Sequence, residues 1–193
     1  MSKLLKTTYL FLPILILILL AGFVFADPSA KKEKSTKSPE KRAIAEDKIN
    51  WVSYPEGLKL AKESGKKIFL EFTAVWCGWC KRMRATTFKD PEIIKTLNEN
   101  YISISLDGES RDTINVDGWF TSGRKLAGEL GVRSFPYFWF LKSDGERLAP
   151  LRGYQTAENL INILLYLKDD TYETMDFKQF LAEREQEKKN EKP

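Results

Sequence analysis

Histidine is absent from all 193 residues, and cysteine occurs twice. Without histidine there is no Ser-His-Asp or Cys-His catalytic arrangement, and no histidine-ligated zinc, copper or haem. Two cysteines alone are also too few soft ligands for a zinc site. Charge of one sign is scarce as well: 31 Lys+Arg against 27 Asp+Glu leave a net charge of +4, too weak to argue for nucleic acid. Hydrophobic content of 42% at this length fits one ordinary domain with appendages. Covalent chemistry therefore falls first on the two cysteines.

The N-terminal segment reads as separate from the fold. Lys3 and Lys6 precede an apolar run from Tyr9 to Phe25, interrupted by Pro13 and closed by Val24-Phe25-Ala26. Its roughly 17 residues lie between the apolar core of a signal sequence and the roughly 20 of a bilayer span. Residues 1–26 are thus expected to be a cleaved signal peptide, with an uncleaved membrane anchor as the alternative, and the location to be periplasmic or otherwise extracytoplasmic. One feature opposes export. Six basic residues (Lys31, Lys32, Lys34, Lys37, Lys41, Arg42) follow the run, and positive charge favours the cytoplasmic side. Residues 27–48, rich in Lys, Ser, Glu, Pro and Ala, bury too little to offset their ordering entropy and are expected to be a disordered linker.

Globular patterning begins near Asn50. Ser53 and Glu56 predict a capping box for a helix to about Ser64, closed by Gly65. Residues 67–74 form a nearly continuous apolar run that predicts a buried central strand. Helix is predicted from Lys81, then again from Pro91 to about Asn98, with a strand over 101–106. Residues 107–123 read as an irregular loop that decorates the surface or, alternatively, borders the site, leading into a helix that ends at Leu130-Gly131. Two strands, 137–141 and about 147–152, flank Ser143-Asp144-Gly145, which has hairpin-turn chemistry. Thr156 caps an amphipathic helix. A further charged helix is predicted over 176–187, with Tyr172, Met175, Phe177 and Phe180 packing it back on the domain.

Cys77-Gly78-Trp79-Cys80 sits where the strand gives way to helix. Two intervening residues at a helix start bring both sulfurs within disulfide range. Free amides and the helix dipole stabilise a thiolate on Cys77, expected to be the exposed sulfur, while Cys80 is one turn further in and shielded. Cys77 would then exchange with a partner disulfide and Cys80 would resolve the mixed disulfide. The competing readings are two unrelated core thiols or an inert staple, which would stabilise little across so short a loop.

Residues 51–168 resemble a thioredoxin-fold domain. The strand Phe69–Ala74 followed by Trp76-Cys77-Gly78-Trp79-Cys80-Lys81 is similar to the family's active-site segment. Gly131-Val132-Arg133-Ser134-Phe135-Pro136 matches its cis-proline segment, and Gly153 its glycine after the last strand. The basic helix after the motif and Asp90-Pro91 resemble extracytoplasmic thioredoxin-like proteins and the C-terminal domain of the membrane thiol:disulfide interchange reductase.

The resemblance implies an α/β fold, a central mixed sheet flanked by helices. Here that domain occupies 49–168 and is followed by a C-terminal helical tail over 169–193. It implies a thiol:disulfide oxidoreductase with no cofactor or metal beyond the Cys77–Cys80 pair. The expected partners are protein disulfides and a membrane or thioredoxin-type electron donor, with the chain acting as a monomer. Pro136 is expected to be cis and to face the disulfide, with the Phe135 backbone pairing with an extended substrate; a trans turn proline is the alternative. Glu71 occupies the position of the family's buried acid, where apolar surroundings would raise its pKa and let it relay a proton for Cys80; alternatively it pairs with a lysine at the sheet edge. Trp76, Gly78 and Trp79 complete the expected substrate surface, with a merely packed Trp76 as the alternative. Trp79 stands where the family usually has proline, so the redox poise is not carried over. Three other functions remain open beside a reductase: a disulfide-forming oxidase or isomerase using the same pair, a Cu(I) carrier using both thiolates, and a redox-inactive interaction module.

Overall fold

The computed structural model describes residues 48–190. The expected signal or anchor over 1–26 lies outside the described residues, as does nearly all of the expected linker. Among the described residues no helix is long and apolar enough to cross a membrane.

The chain starts with β1 (Trp51–Val52), α1 (Tyr54–Ser64), β2 (Lys67–Thr73), α2 (Gly78–Ala85), α3 (Pro91–Asn100) and β3 (Tyr101–Asp107). It continues through β4 (Ile114–Val116), β5 (Trp119–Thr121), α4 (Gly123–Glu129), β6 (Tyr137–Leu141) and β7 (Arg147–Arg152), then α5 (Ala157–Lys168) and α6 (Phe177–Asn190). Five strands form one sheet in the order β1-β3-β2-β6-β7. β1, β3 and β2 run parallel, while β6 and β7 are antiparallel additions, which makes the sheet mixed as expected.

β2 is the middle strand and separates two cores. On one face Phe69 stacks on Phe138 at 5.2 Å between ring centroids, beside Met83, Ile93, Leu97, Leu160 and Leu164 from the helices α2, α3 and α5. On the other, Ile68, Leu70 and Phe72 meet Ala61 of α1 and Leu126 and Ala127 of α4. Strand alternation sends successive side chains to opposite layers, so the continuous apolar run follows from burial on both faces.

Three local expectations need correction. Ser53 stands at the N-cap of α1, but its side chain makes no capping bond. Pro55 occupies the position of one of the two amides a cap can reach, and it has no N–H to offer. α2 begins at Gly78, three residues before Lys81, because Cys77 itself caps the helix. The segment 107–123 is not irregular: β4 and β5 form a hairpin whose turn residues Asp117 and Gly118 both have positive φ (50° and 88°). That is the primed turn an Asp-Gly pair favours.

The C-terminal segment packs as the sequence suggested. Tyr166 of α5 contacts the rings of Tyr172, Phe177 and Phe180, and its hydroxyl donates to the Met175 carbonyl at 2.6 Å.

Candidate active site

β2 ends at Thr73, and the chain turns through Ala74 into α2. The Cys77 amide donates to the Ala74 carbonyl at 3.0 Å, closing that turn. Cys77 and Cys80 are joined by a disulfide with Cα atoms 5.3 Å apart. At the N-cap, the Cys77 sulfur accepts the Cys80 backbone N–H at 3.0 Å. A helix N-terminus carries partial positive charge and unpaired donors, so this position favours a thiolate once the bond is reduced.

Cys77 is not the exposed sulfur the sequence suggested. In this oxidised state both cysteines are only 2% exposed, enclosed with Ala74 and packed against Phe135. The exposed groups are the flanking ones: Trp76 is 65% and Trp79 56% exposed. Gly78 between them has no neighbour within 4 Å of where a Cβ would stand, so nothing shields that side of the motif.

The Phe135–Pro136 peptide is cis, and Pro136 is buried. The Pro136 carbonyl accepts the Gly153 amide at 2.9 Å, which ties the proline loop to the end of β7. The Phe135 ring meets Trp76 edge-on at 5.9 Å and lies over Gly108, where a Cβ would stand 2.5 Å from the ring. Gly108 therefore has a steric reason to lack a side chain. Beside it, Glu109 accepts the Trp76 indole N–H at 2.6 Å, so the 107–123 segment borders the site instead of only decorating the surface. On the far side Trp79 packs against Tyr154 at 5.4 Å, and the Arg82 guanidinium lies 5.5 Å from the Trp79 ring centroid. The motif is thus rimmed by aromatic rings, with an acid beside Trp76 and a guanidinium beside Trp79.

Glu71 projects from the face of β2 that packs under α2, and it is fully buried. The sheet-edge lysine pair is not what forms. β2 is central, and the partner is Arg84 of α2, whose Nη2 donates to Oε2 at 2.7 Å. The Ser105 hydroxyl donates to the same oxygen at 2.9 Å, whereas Oε1 is buried without a partner. Burial pushes the carboxyl above its ordinary value, against the opposing pull of Arg84 and Ser105. Among the described residues no cluster of three or more Cys, Asp or Glu is placed to hold a metal ion.

Sequence reasoning missed Arg84, Ser105, Glu109, Arg82 and Tyr154. Three of these had a signal. Arg84 follows Cys80 by four residues and so shares its helix face. Ser105 lies two residues from Ser103, a polar stripe on a strand otherwise apolar. Arg82 follows Trp79 by three residues on the same helix and so shares its face, whereas Glu109 and Tyr154 are brought in by tertiary packing alone.

Similarity to known proteins agrees with the fold. Over 127 residues the chain is 28% identical to the thiol:disulfide interchange protein DsbD of Campylobacter jejuni, covering 66% of this chain and 20% of that protein. It is 33% identical over 88 residues to spermatogenesis-associated protein 20 of Rattus norvegicus, covering 45% of this chain and 11% of that one. The chain therefore spans only a fraction of these relatives' lengths. A solution structure of a thioredoxin from Thermus thermophilus superposes with a TM-score of 0.53 at 24% identity, covering 62% of this chain and 87% of that one, and shows the shared fold. The thioredoxin-like domain pattern matches residues 54–168, more than half of the sequence, and the chain belongs to that family.

Proposed function

We propose that this chain is a thiol:disulfide oxidoreductase that reduces disulfides of envelope proteins outside the cytoplasm. The observation that carries the reading is the Cys80 amide donating to the Cys77 sulfur at the head of α2, within an aromatic rim. Cys77 is the attacking sulfur because it alone occupies the N-cap, where a thiolate is stabilised most.

In the reduced protein, the Cys77 thiolate attacks one sulfur of a substrate disulfide. A Cys77–substrate bond forms, and the other substrate sulfur leaves with the electron pair and takes up a proton. Glu71 accepts the Cys80 proton, and the Cys80 thiolate attacks the Cys77 sulfur. The second substrate sulfur departs as thiolate and is protonated, leaving the Cys77–Cys80 disulfide. Two electrons and two protons have passed to the substrate. Trp76, Gly78, Trp79, Phe135 and Pro136 form the docking surface, with the Phe135 backbone pairing with an extended substrate strand.

The reductive direction is supported by the absence of a histidine between the cysteines. Export is supported by the apolar run closed by Val24 and Ala26. The oxidised protein then needs a membrane or thioredoxin-type dithiol to re-reduce it. The disulfide is the sole redox group invoked, and the protein acts as a monomer. Insulin reduction with dithiothreitol as electron source tests the reading. Catalysed turnover is expected for the wild type and none for Cys77→Ser; retained activity in that variant overturns the mechanism.

A further inference from the structure

Cys80 and Arg84 lie one turn apart on the side of α2 that faces the sheet. The Arg84 guanidinium reaches down to β2 and β3, where Nη2 donates to Glu71 Oε2 at 2.7 Å and to Ser105 Oγ at 2.8 Å. The Ser105 hydroxyl in turn donates to Oε2 at 2.9 Å. Trp51 of β1 holds the guanidinium from the side, with Cζ 5.5 Å from the ring centroid. Elements β1, β2, β3 and α2 each contribute one residue to this cluster.

The arrangement treats the two carboxylate oxygens unequally. Oε2 accepts two hydrogen bonds, while Oε1 is buried and accepts none. A carboxylate serving only to hold α2 on the sheet would gain from satisfying both oxygens, because a bare buried acceptor is costly. The Arg84 side chain is 41% exposed and that of Glu71 0%, so the guanidinium stands between the acid and water. Among the described residues, Arg84 is the one charge acting on Glu71. Ser105 on β3 adds a hydroxyl, and Phe138 opposite on β6 is apolar. Burial favours the protonated form of Glu71, and the guanidinium opposes it by favouring the carboxylate.

We propose that Arg84, braced by Trp51 and Ser105, is a positioning residue of the exchange reaction, fixing Glu71 Oε2 and leaving Oε1 as the atom that takes the Cys80 proton. This rests on the assignment of Glu71 as proton acceptor. In the step concerned, the Cys80 S–H bond breaks and its proton moves to Oε1. The Cys80–Cys77 bond then forms, and the Cys77–substrate bond breaks with its electron pair on the substrate sulfur.

The test is single-turnover oxidation of the reduced full chain by oxidised glutathione, followed by tryptophan fluorescence as a function of pH. Glu71→Gln is expected to slow resolution by on the order of 10²-fold and to remove one inflection from the profile. Arg84→Met, which keeps the stem, is expected to move that inflection to higher pH and slow the reaction at neutrality. Arg84→Lys recovers most of the rate. Adding Arg84→Met to Glu71→Gln changes nothing further. An inflection unmoved in Arg84→Met but lost in Glu71→Gln overturns the role of Arg84 and leaves Glu71 as the base. A profile untouched by Glu71→Gln overturns both. Should Arg84→Met not fold, Ser105→Ala removes one donor from Oε2 and must shift the inflection in the same direction.

Discussion

The two faces of β2 are both buried at their centre and built differently. Toward α1 and α4 the strand presents Ile68, Leu70 and Phe72, all fully buried, in an uninterrupted hydrocarbon layer. Toward α2, α3 and α5 it presents Phe69 and then Glu71, also fully buried, before Thr73 at the rim. One strand therefore meets the same burial requirement with leucine on one side and a carboxyl on the other. Leu70 serves packing. Glu71 occupies a place where packing has no use for a charge, and it lies under the helix that carries the disulfide. The difference separates what holds the fold together from what equips it to react.

Substitutions sharpen this contrast. Leu70→Ala opens a cavity in a closed layer and is expected to cost about 2–5 kcal/mol, read by denaturant unfolding, while the activity of the folded fraction persists. On the opposite face, Glu71→Leu with Arg84→Met exchanges a buried ion pair for hydrocarbon. Stability is expected to hold or to rise by up to about 4 kcal/mol, while insulin reduction collapses. A large loss of stability in that double variant would make the pair a structural element after all.

A pH comparison follows from the sign of the Glu71 shift. Its carboxyl titrates above the ordinary value in the native state, so the folded form binds its proton more tightly than the unfolded chain does. The stability Glu71 contributes is complete below the unfolded value, ordinarily 4.5, and is lost as pH rises through the raised native value. Wild type should therefore lose stability relative to Glu71→Gln as pH rises through that window. This is the reverse of an ordinary salt-bridged carboxylate, and melting the two proteins side by side across pH checks it.

The smallest contrast concerns helix caps. Asp90 accepts the Glu92 and Ile93 amides at the start of α3, so Asp90→Ala should cost about 1 kcal/mol. Ser53 makes no such bond, and Ser53→Ala should lie within about 0.5 kcal/mol of wild type in the same unfolding experiment.

Much of this molecule was legible in its residues, for reasons that differ by element. The double-sided burial of β2 appears as a continuous apolar run, and Cys77-Gly78-Trp79-Cys80 at the strand end locates the site without further information. Gly65 and Thr156 end and begin helices by local rules that the structure obeys, with Gly65 at φ 71° and Thr156 accepting the Asn159 amide. The β4–β5 hairpin was readable too, from Asp117-Gly118 between Ile114-Asn115-Val116 and Trp119-Phe120-Thr121, but its strands are only three residues each and give almost no period. Burial of Cys77 was not readable, because it is Phe135, 58 residues further along the chain, that covers the disulfide. The Glu109–Trp76 bond and the Trp79–Tyr154 contact likewise join distant segments that no local pattern links.

The measurement that tests the account most directly is the equilibrium between the Cys77–Cys80 disulfide and its dithiol in a buffer of known potential. A reductase requires a value near that of thioredoxin, about −270 mV. A value near about −120 mV, that of a strong oxidant, would make the protein a disulfide donor and contradict the direction proposed here.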